Sequence, residues 1–339
     1  AVLRRMQADG PRLPERADFA DEADYLATMH SVPTWIAAQF LRTLGPQSEA
    51  ALASVNRAPR AAVRVNTLRE SREAVTALLQ RAGVATKPSR YVADTLLVVD
   101  GVATDDSQGR WDLQAEAAAM PVDLLAPQAE ETILELCSGR GHKTLQIAAR
   151  IANRGRIVSV ERDEKKMASL SAALERAGVT SVAAVLGDAL EAASDVQADG
   201  VLIDAPCSGV GVIGRHPEAR WRKKSDDGER LAATQRDLLR VAAARTRAGG
   251  RLVYSVCSID PREGRNVVDA FLSAEPAFVR ASLPARYAGF ECAGDVIVPP
   301  GIDGRDGFYI ATLVRCAESE ISEPPMPPAP SAMREPPYA

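Results

Sequence analysis

The 339-residue sequence is poor in the residues that build metal sites and disulfide frameworks, with five cysteines and three histidines. Cys137, Cys207, Cys257, Cys292 and Cys316 form no close C-x-x-C pair and leave one over, which argues against both a zinc site and a disulfide framework. His30, His142 and His216 are too scattered for a ligand set, so no metal is expected. No apolar run approaches the roughly 18 residues of a membrane-spanning helix, and no charged-then-apolar leader opens the chain. A cytoplasmic protein without a membrane partner is expected. A general excess of basic charge is missing as well: the net charge is -4 and the pI is near 5.6. That counts against a nucleic-acid binder, because phosphate affinity comes mainly from concentrated Lys and Arg. The local balance differs, since Val210 to Arg251 holds eleven Lys/Arg against five Asp/Glu, while Glu318, Glu320 and Glu323 sit near the end. Local sign matters more than the total.

What is present is the composition of an ordinary globular protein, 46% hydrophobic and 25% charged. The length suffices for two domains and a tail. From Tyr25 to Arg57 the apolar spacing is helical, with Ser31-Val32-Pro33 placing a cap and a proline where a helix would start. Residues 62–68 alternate like a strand, 71–82 read as an amphipathic helix ended by Gly83, and 95–100 read as another strand. These pieces predict a small helical plus α/β domain over 25–110. Residues 1–24 read as an extension or the remnant of a helical domain, and the Pro-rich 317–339 as a disordered tail.

Over 111–316 strands and helices alternate. The spacing predicts helices over 113–125, 143–152, 164–177, 229–247 and 263–274, and strands over 131–137, 156–160, 182–186, 199–204 and 250–256. Such alternation implies an α/β, Rossmann-like, mostly parallel sheet with helices on both faces. Its ligands bind at the carboxyl ends of the strands. Residues 308–315 form a late strand with no following helix, expected as an added antiparallel edge.

The first chemical feature is a strand running into Ser138-Gly139-Arg140-Gly141 and then a helix. Glycines there let backbone amides approach a ligand at a helix N-terminus. A Walker-type loop would need glycine directly before Lys143-Thr144 and five residues earlier, where His142 and Cys137 stand, so a nucleotide triphosphatase is rejected. About twenty residues on, the next strand ends at Glu161, where an acidic group takes a ribose diol. A dehydrogenase would share that feature but not the next. One strand ends in Asp204-Ala205-Pro206-Cys207 and another in Cys257, which puts two thiols at the reactive end of the sheet. A lone strand-end cysteine is more often a small buried hydrophobe; a pair beside an aspartate shifts the balance.

On these residues the chain resembles the RNA cytosine-5 methyltransferases, specifically the bacterial RsmB (Fmu/Sun) type, from about Tyr25 to Arg315. The marks are D-A-P-C-S-G-V-G at 204–211, R-H-P-E-A-R-W at 215–221, Y-S-V-C-S-I-D-P at 254–261 and D-G-F-Y-I-A at 306–311. Weaker marks are H-S-V-P-T-W-I at 30–36, R-V-N-T-L at 64–68 and W-D-L-Q-A-E at 111–116. The resemblance implies that Cys257 is the nucleophile and that Cys207 assists product release. It also implies S-adenosyl-L-methionine as cofactor, held by Cys137, Ser138, Gly139, Arg140, Gly141, His142, Lys143, Glu161, Lys166, Asp188 and Asp204. RNA is the implied partner, ribosomal first and transfer RNA second, with a monomer expected. Two departures stand out. Where the family reads C-A-A-P-G-G-K-T this chain reads C-S-G-R-G-H-K-T, with Arg140 for proline and His142 for glycine, which puts cofactor affinity or loop shape in question. The family type also carries a NusB-like helical domain, of which Ala1 to Met6 resembles only an end; a cut chain and a member without that domain both remain open.

The chemistry explains the residue types. Carbon 5 of cytosine is too weak a nucleophile to take a methyl group unaided, and a thiolate added at carbon 6 activates it. An ordinary thiol is only a few per cent ionised at neutral pH, so nearby positive charge is needed, with Lys143 as a candidate. Asp204 is expected to hydrogen-bond the cytosine ring or its amino group, and the base must leave its stack. Trp221 with Arg220, Arg222, Lys223 and Lys224 reads equally as an RNA clamp or as a solvated helix start. Arg64 and Asn66 read better as structural than as RNA-binding. Two rivals stay in view: a catalytically silent RNA-binding or assembly protein with a methyltransferase fold, and a small-molecule or protein methyltransferase on the same sheet.

Overall fold

The computed structural model describes residues 14–317 together with Arg4, Arg5, Gln7 and Gly10. Most of the 1–13 stretch and all of 318–339 lie outside the described residues, and with them the expected tail. The helical spacing of 25–57 resolves into three helices, α1 (Glu22–His30), α2 (Thr34–Leu44) and α3 (Ser48–Ser54). The Asp21 carboxylate caps α1 by accepting from the Asp24 amide at 2.9 Å. Leu26, Ile36, Phe40 and Leu52 bury the shared face of this bundle against Val210, Ile213 and Ile259 of the larger unit.

A small antiparallel sheet follows, in the order β2 (Ala85–Pro88), β3 (Thr95–Asp100), β1 (Ala62–Val65), β4 (Trp111–Leu113), with α4 (Arg72–Arg81) packed on it through Val75 and Leu79. The helix expected from residue 113 therefore begins later, as α5 (Glu116–Leu125), because Trp111–Leu113 pairs with β1. The reason is electrostatic as well as geometric. Arg64 on β1 is fully buried and needs the Asp112 carboxylate at 2.7 Å and the Gln114 amide oxygen at 2.7 Å. Asn66 donates to the carbonyls of Gly109 at 2.7 Å and Ala177 at 2.9 Å, so both residues serve structure.

The larger sheet runs in the order β11 (Glu291–Cys292), β12 (Asp295–Val298), β13 (Phe308–Arg315), β9 (Thr246–Val256), β8 (Ala198–Asp204), β5 (Thr132–Leu136), β6 (Arg156–Glu161), β7 (Val182–Leu186), with β10 (Phe278–Arg280) beside β13. The run from β9 to β7 is parallel, and β13 is antiparallel to β9. The antiparallel sense of 308–315 is as expected, but its edge position is not: β12 and β10 cover it, and its first six residues are buried. Helices α6 (His142–Arg150), α7 (Glu164–Ala177), α8 (Ala219–Arg222), α9 (Asp227–Arg245) and α10 (Arg265–Ala274) complete the chain. Apolar side chains on both sheet faces form two large cores, one around Leu136, Val201 and Tyr254 and the other around Ile133, Leu202 and Val253. That burial on both sides is why the central strands read as near-continuous apolar runs. Among the described residues no helix is long and apolar enough to cross a membrane.

Candidate active site

The loop from β5 into α6 turns through left-handed backbone at Cys137, Gly139 and Gly141, with φ of 62°, 61° and 89°. The φ of Gly141 favours glycine, and a Cβ there would come within 2.3 Å of Leu170 Cδ1 and force that side chain to move. The Gly139 amide donates to Glu161 Oε2 at 2.8 Å, and the Asp163 amide donates to Oε1 at 2.9 Å. Asp188, just past β7, accepts from the Leu190 amide at 2.9 Å. Burial pushes the Cys137 thiol up to about 12, so this cysteine is a neutral packing group.

A cavity of about 410 Å3 opens at these strand ends. Six residues of the expected cofactor set line it: Cys137, Gly139, Glu161, Lys166, Asp188 and Asp204. Ser138, Arg140, His142 and Lys143 instead line a second cavity of about 410 Å3, together with Cys257, Arg215, His216 and Phe308. Gly139 and Asp204 line both, and Gly141 lines neither. The first cavity has the groups that adenosylmethionine calls for. Glu161 keeps lone pairs for a ribose diol, Asp188 is a second acceptor, and Val160, Leu190 and Leu238 supply apolar surface for a flat base. Leu238 and its neighbour Thr234 escaped sequence reading, because they reach the cavity from α9, far along the chain.

Asp204 joins the two cavities. Its Oδ2 accepts from Lys143 Nζ at 2.6 Å and its Oδ1 from Ser255 Oγ at 3.0 Å. The side chain remains about one-third exposed, and each oxygen has a further lone pair. The described hydrogen bonds thus commit the Lys143 ammonium, expected near the thiol, to Asp204; it also lies 5.8 Å from the centre of the Phe308 ring.

Cys207 and Cys257 are brought together, Sγ to Sγ, at 3.2 Å. The hydrogen bond to Cys257, with burial behind it, holds the Cys207 thiol well above the usual range, so Cys207 carries its proton at neutral pH. The residues that follow the two cysteines share one carboxylate, Glu263. It accepts from the Ser208 amide at 2.7 Å, from Ser258 Oγ at 2.7 Å and from the Ser208 hydroxyl. Burial raises the Glu263 pKa, and the serine hydrogen bonds oppose that. The Tyr254 hydroxyl closes the network by donating to the Glu263 carbonyl at 2.6 Å. A second tie runs through the backbone: the Gly211 amide donates to the Cys257 carbonyl at 3.1 Å, and Gly307 donates to Gly211 at 2.7 Å. A Cβ at Gly211 would lie 2.2 Å from the Gly307 oxygen. Sequence reading missed Glu263; the available signal was a serine directly after each cysteine, with an acid five residues past the second.

A Rossmann-like sheet whose strand ends hold a nucleoside-sized cavity, with a thiol in the cavity next to it, defines a methyltransferase of the adenosylmethionine-dependent class. The model of the 16S rRNA methyltransferase RsmB/F family matches residues 122–314, and that of the RsmF/B-like ferredoxin-like domain matches 32–105. The chain is 30% identical over 324 residues to the probable ribosomal RNA small subunit methyltransferase B of Bacillus subtilis, covering 92% of this chain and 72% of that protein. It is 33% identical over 322 residues to ribosomal RNA small subunit methyltransferase B of Vibrio cholerae, covering 92% and 71%. Among solved structures, PH0851 superposes with a TM-score of 0.81 at 30% identity over 91% of this chain and 71% of that one. A methyltransferase homologue from Pyrococcus horikoshii, 22% identical, shares the fold with a TM-score of 0.76 over 88% of this chain and all of that one. The chain belongs to the RsmB/F family of rRNA methyltransferases.

Proposed function

We propose that this chain transfers a methyl group from S-adenosylmethionine to carbon 5 of a cytosine in ribosomal RNA, with Cys257 as covalent nucleophile. The observation that carries the reading is the placement of Cys257. It faces the cavity next to the cofactor-sized one, with Cys207 at 3.2 Å and Asp204 lining both cavities. The cofactor supplies an electrophilic methyl group on a sulfonium. The protein supplies the rest. The Cys257 thiolate bonds to carbon 6 of the cytosine, and the displaced electron pair makes carbon 5 nucleophilic. After carbon 5 takes the methyl group it gives its proton to a water molecule, the C–H electron pair restores the ring double bond, and the carbon 6–sulfur pair leaves with the Cys257 sulfur. Asp204, anchored by Lys143 and Ser255, offers its remaining lone pairs to the ring nitrogen or amino group. Cys207, protonated and adjacent, is placed to exchange a proton with the leaving Cys257 sulfur.

An RNA substrate fits the outer surface as well. Trp221 is two-thirds exposed on α8, directly after the cavity residues Arg215 and His216 and beside Arg222, Lys223 and Lys224. Arg220 points the other way and pins α8 to the helical bundle by donating to Asn56 Oδ1 at 2.6 Å and the Val55 carbonyl at 2.8 Å. A solvent-facing indole beside cations on a helix pinned by Arg220 suits an unpaired base and its phosphates. The departures at Arg140 and His142 do not favour a silent scaffold, since neither residue lines the cofactor-sized cavity.

The test is transfer of labelled methyl from S-adenosylmethionine to unmodified small-subunit rRNA. Label in 5-methylcytosine with the native chain and none with Cys257→Ala is the expected result. Full activity of Cys257→Ala would overturn the covalent route. No label with a native chain that binds the cofactor would point to the silent scaffold.

A further inference from the structure

Arg140 and His142 stand where the family motif carries proline and glycine, in a loop that ordinarily belongs to the cofactor. The backbone of that loop divides its duties. With Gly139 and Gly141 both at positive φ, the Gly139 amide turns toward Glu161 on the cofactor side, at 2.8 Å. The Arg140 and His142 side chains line the other cavity, the one that holds Cys257. Both are exposed and reachable from solvent.

The charges of that second cavity sharpen the assignment. Lys143 is held by Asp204 at 2.6 Å, and Arg215 by Asp306 at 3.0 Å. Among the described residues Arg140 has neither a hydrogen-bond nor an ion-pair partner, so a permanently charged fork stands free at the rim. A nucleotide that turns its base toward Cys257 leaves its phosphate and ribose at the mouth. There a free guanidinium matches a phosphate, and an imidazole next to it offers a donor or acceptor to a ribose hydroxyl.

Resting on the reading of this cavity as the cytosine site, we infer that Arg140 binds the phosphate of the target nucleotide and His142 its ribose, and that neither holds the cofactor. The two substitutions thus add grip on the RNA without altering the cofactor site. Loss of one charge-assisted contact of this kind is worth about 10- to 100-fold in affinity.

The experiment measures two affinities for Arg140→Ala, His142→Ala and Arg140→Lys. One is the Kd of S-adenosylmethionine by calorimetry, and the other is the Kd of an unmodified small-subunit rRNA transcript by filter retention across a salt series. A thermal melt establishes folding of each variant. Cofactor affinity within twofold of native, RNA affinity about tenfold weaker in both alanine variants, and partial recovery in Arg140→Lys are expected. The salt slope should fall by about 0.7 for Arg140→Ala alone, the value for one phosphate on single-stranded nucleic acid. Weakened cofactor binding in a folded alanine variant, or unchanged RNA binding, would overturn the inference. Neither affinity requires turnover, so an inactive native chain would sink the methyl-transfer reading while this one was still being decided.

Discussion

Cys207 and Cys257 come from different strands, yet their sulfurs lie 3.2 Å apart, and the hydrogen bond with burial keeps the Cys207 thiol protonated at neutral pH. In the proposed mechanism a thiol in that position assists the departure of its neighbour from a carbon–sulfur bond. Cys207→Ala is therefore expected to form the bond to RNA and to release it slowly. On a denaturing gel, labelled RNA should remain attached to Cys207→Ala and not to Cys207→Ala/Cys257→Ala. Equal retention by both would remove Cys207 from the release step.

The clamp beneath the two cysteines makes a separate prediction. Removing the Glu263 carboxylate leaves the buried Ser208 amide without its acceptor, and leaves the hydroxyls of Ser208 and Ser258 only each other, at 3.2 Å, in place of the shared carboxylate. Such an orphan costs about 1–3 kcal/mol. Glu263→Ala should unfold at least about 2 kcal/mol more easily and lose methyl transfer at least tenfold, while cofactor Kd stays near native. Glu263→Gln keeps an acceptor and should fall between the two. A folded Glu263→Ala with native turnover would show that the sulfur pair needs no such clamp.

Asp204 is tested with its geometry kept. In Asp204→Asn the Ser255 hydrogen bond survives, while the charge facing Lys143, and the proposed cytosine, is lost. A positioned group aimed at developing charge contributes about 10²–10³ in rate. The expected outcome is a kcat lower by that factor with a much smaller change in cofactor Kd. A change confined to cofactor affinity would make Asp204 a binding residue only.

The parallel sheet was legible because β5, β6, β8 and the 252–256 half of the eleven-residue β9 are short, mainly apolar runs that end in an acid or run into a cysteine, and the pair of thiols was legible because each motif marks a strand end. Other features hide for physical reasons. Leu113 looks like the start of a helix until the buried Arg64 draws its neighbour Asp112 into the small sheet. The strands 291–292 and 295–298 are too short to show a period. Arg140 and His142 lie in a loop whose sequence says only that a ligand is near; which cavity they face depends on two backbone angles. Glu263 bonds to Ser258 five residues before it and to Ser208 55 residues before it, so the local spacing shows only half of its role.

Under the cofactor loop, Glu135 on β5 is fully buried and accepts from Thr144 Oγ1 at 2.5 Å and Ser159 Oγ at 2.9 Å, while its Oε1 has no hydrogen-bond partner among the described residues. Burial pushes its pKa up to about 7 from an ordinary 4.5, against the pull of the two hydroxyls. Because the folded value is the higher one, the folded chain holds this proton more tightly than the unfolded chain does. The contribution to stability is then fully present below about pH 4.5, and it is lost as pH rises through about 7. At roughly 1.4 kcal/mol per pKa unit, the loss amounts to about 3.5 kcal/mol at most. Glu135→Gln keeps an oxygen for Thr144 and Ser159 and cannot ionise. In urea unfolding at pH 5 and pH 8, the variant should gain on the native chain by about 2–3 kcal/mol between the two conditions. Parallel behaviour at both pH values would mean that the carboxyl finds solvent or a cation in the folded protein and that its burial carries no charge penalty.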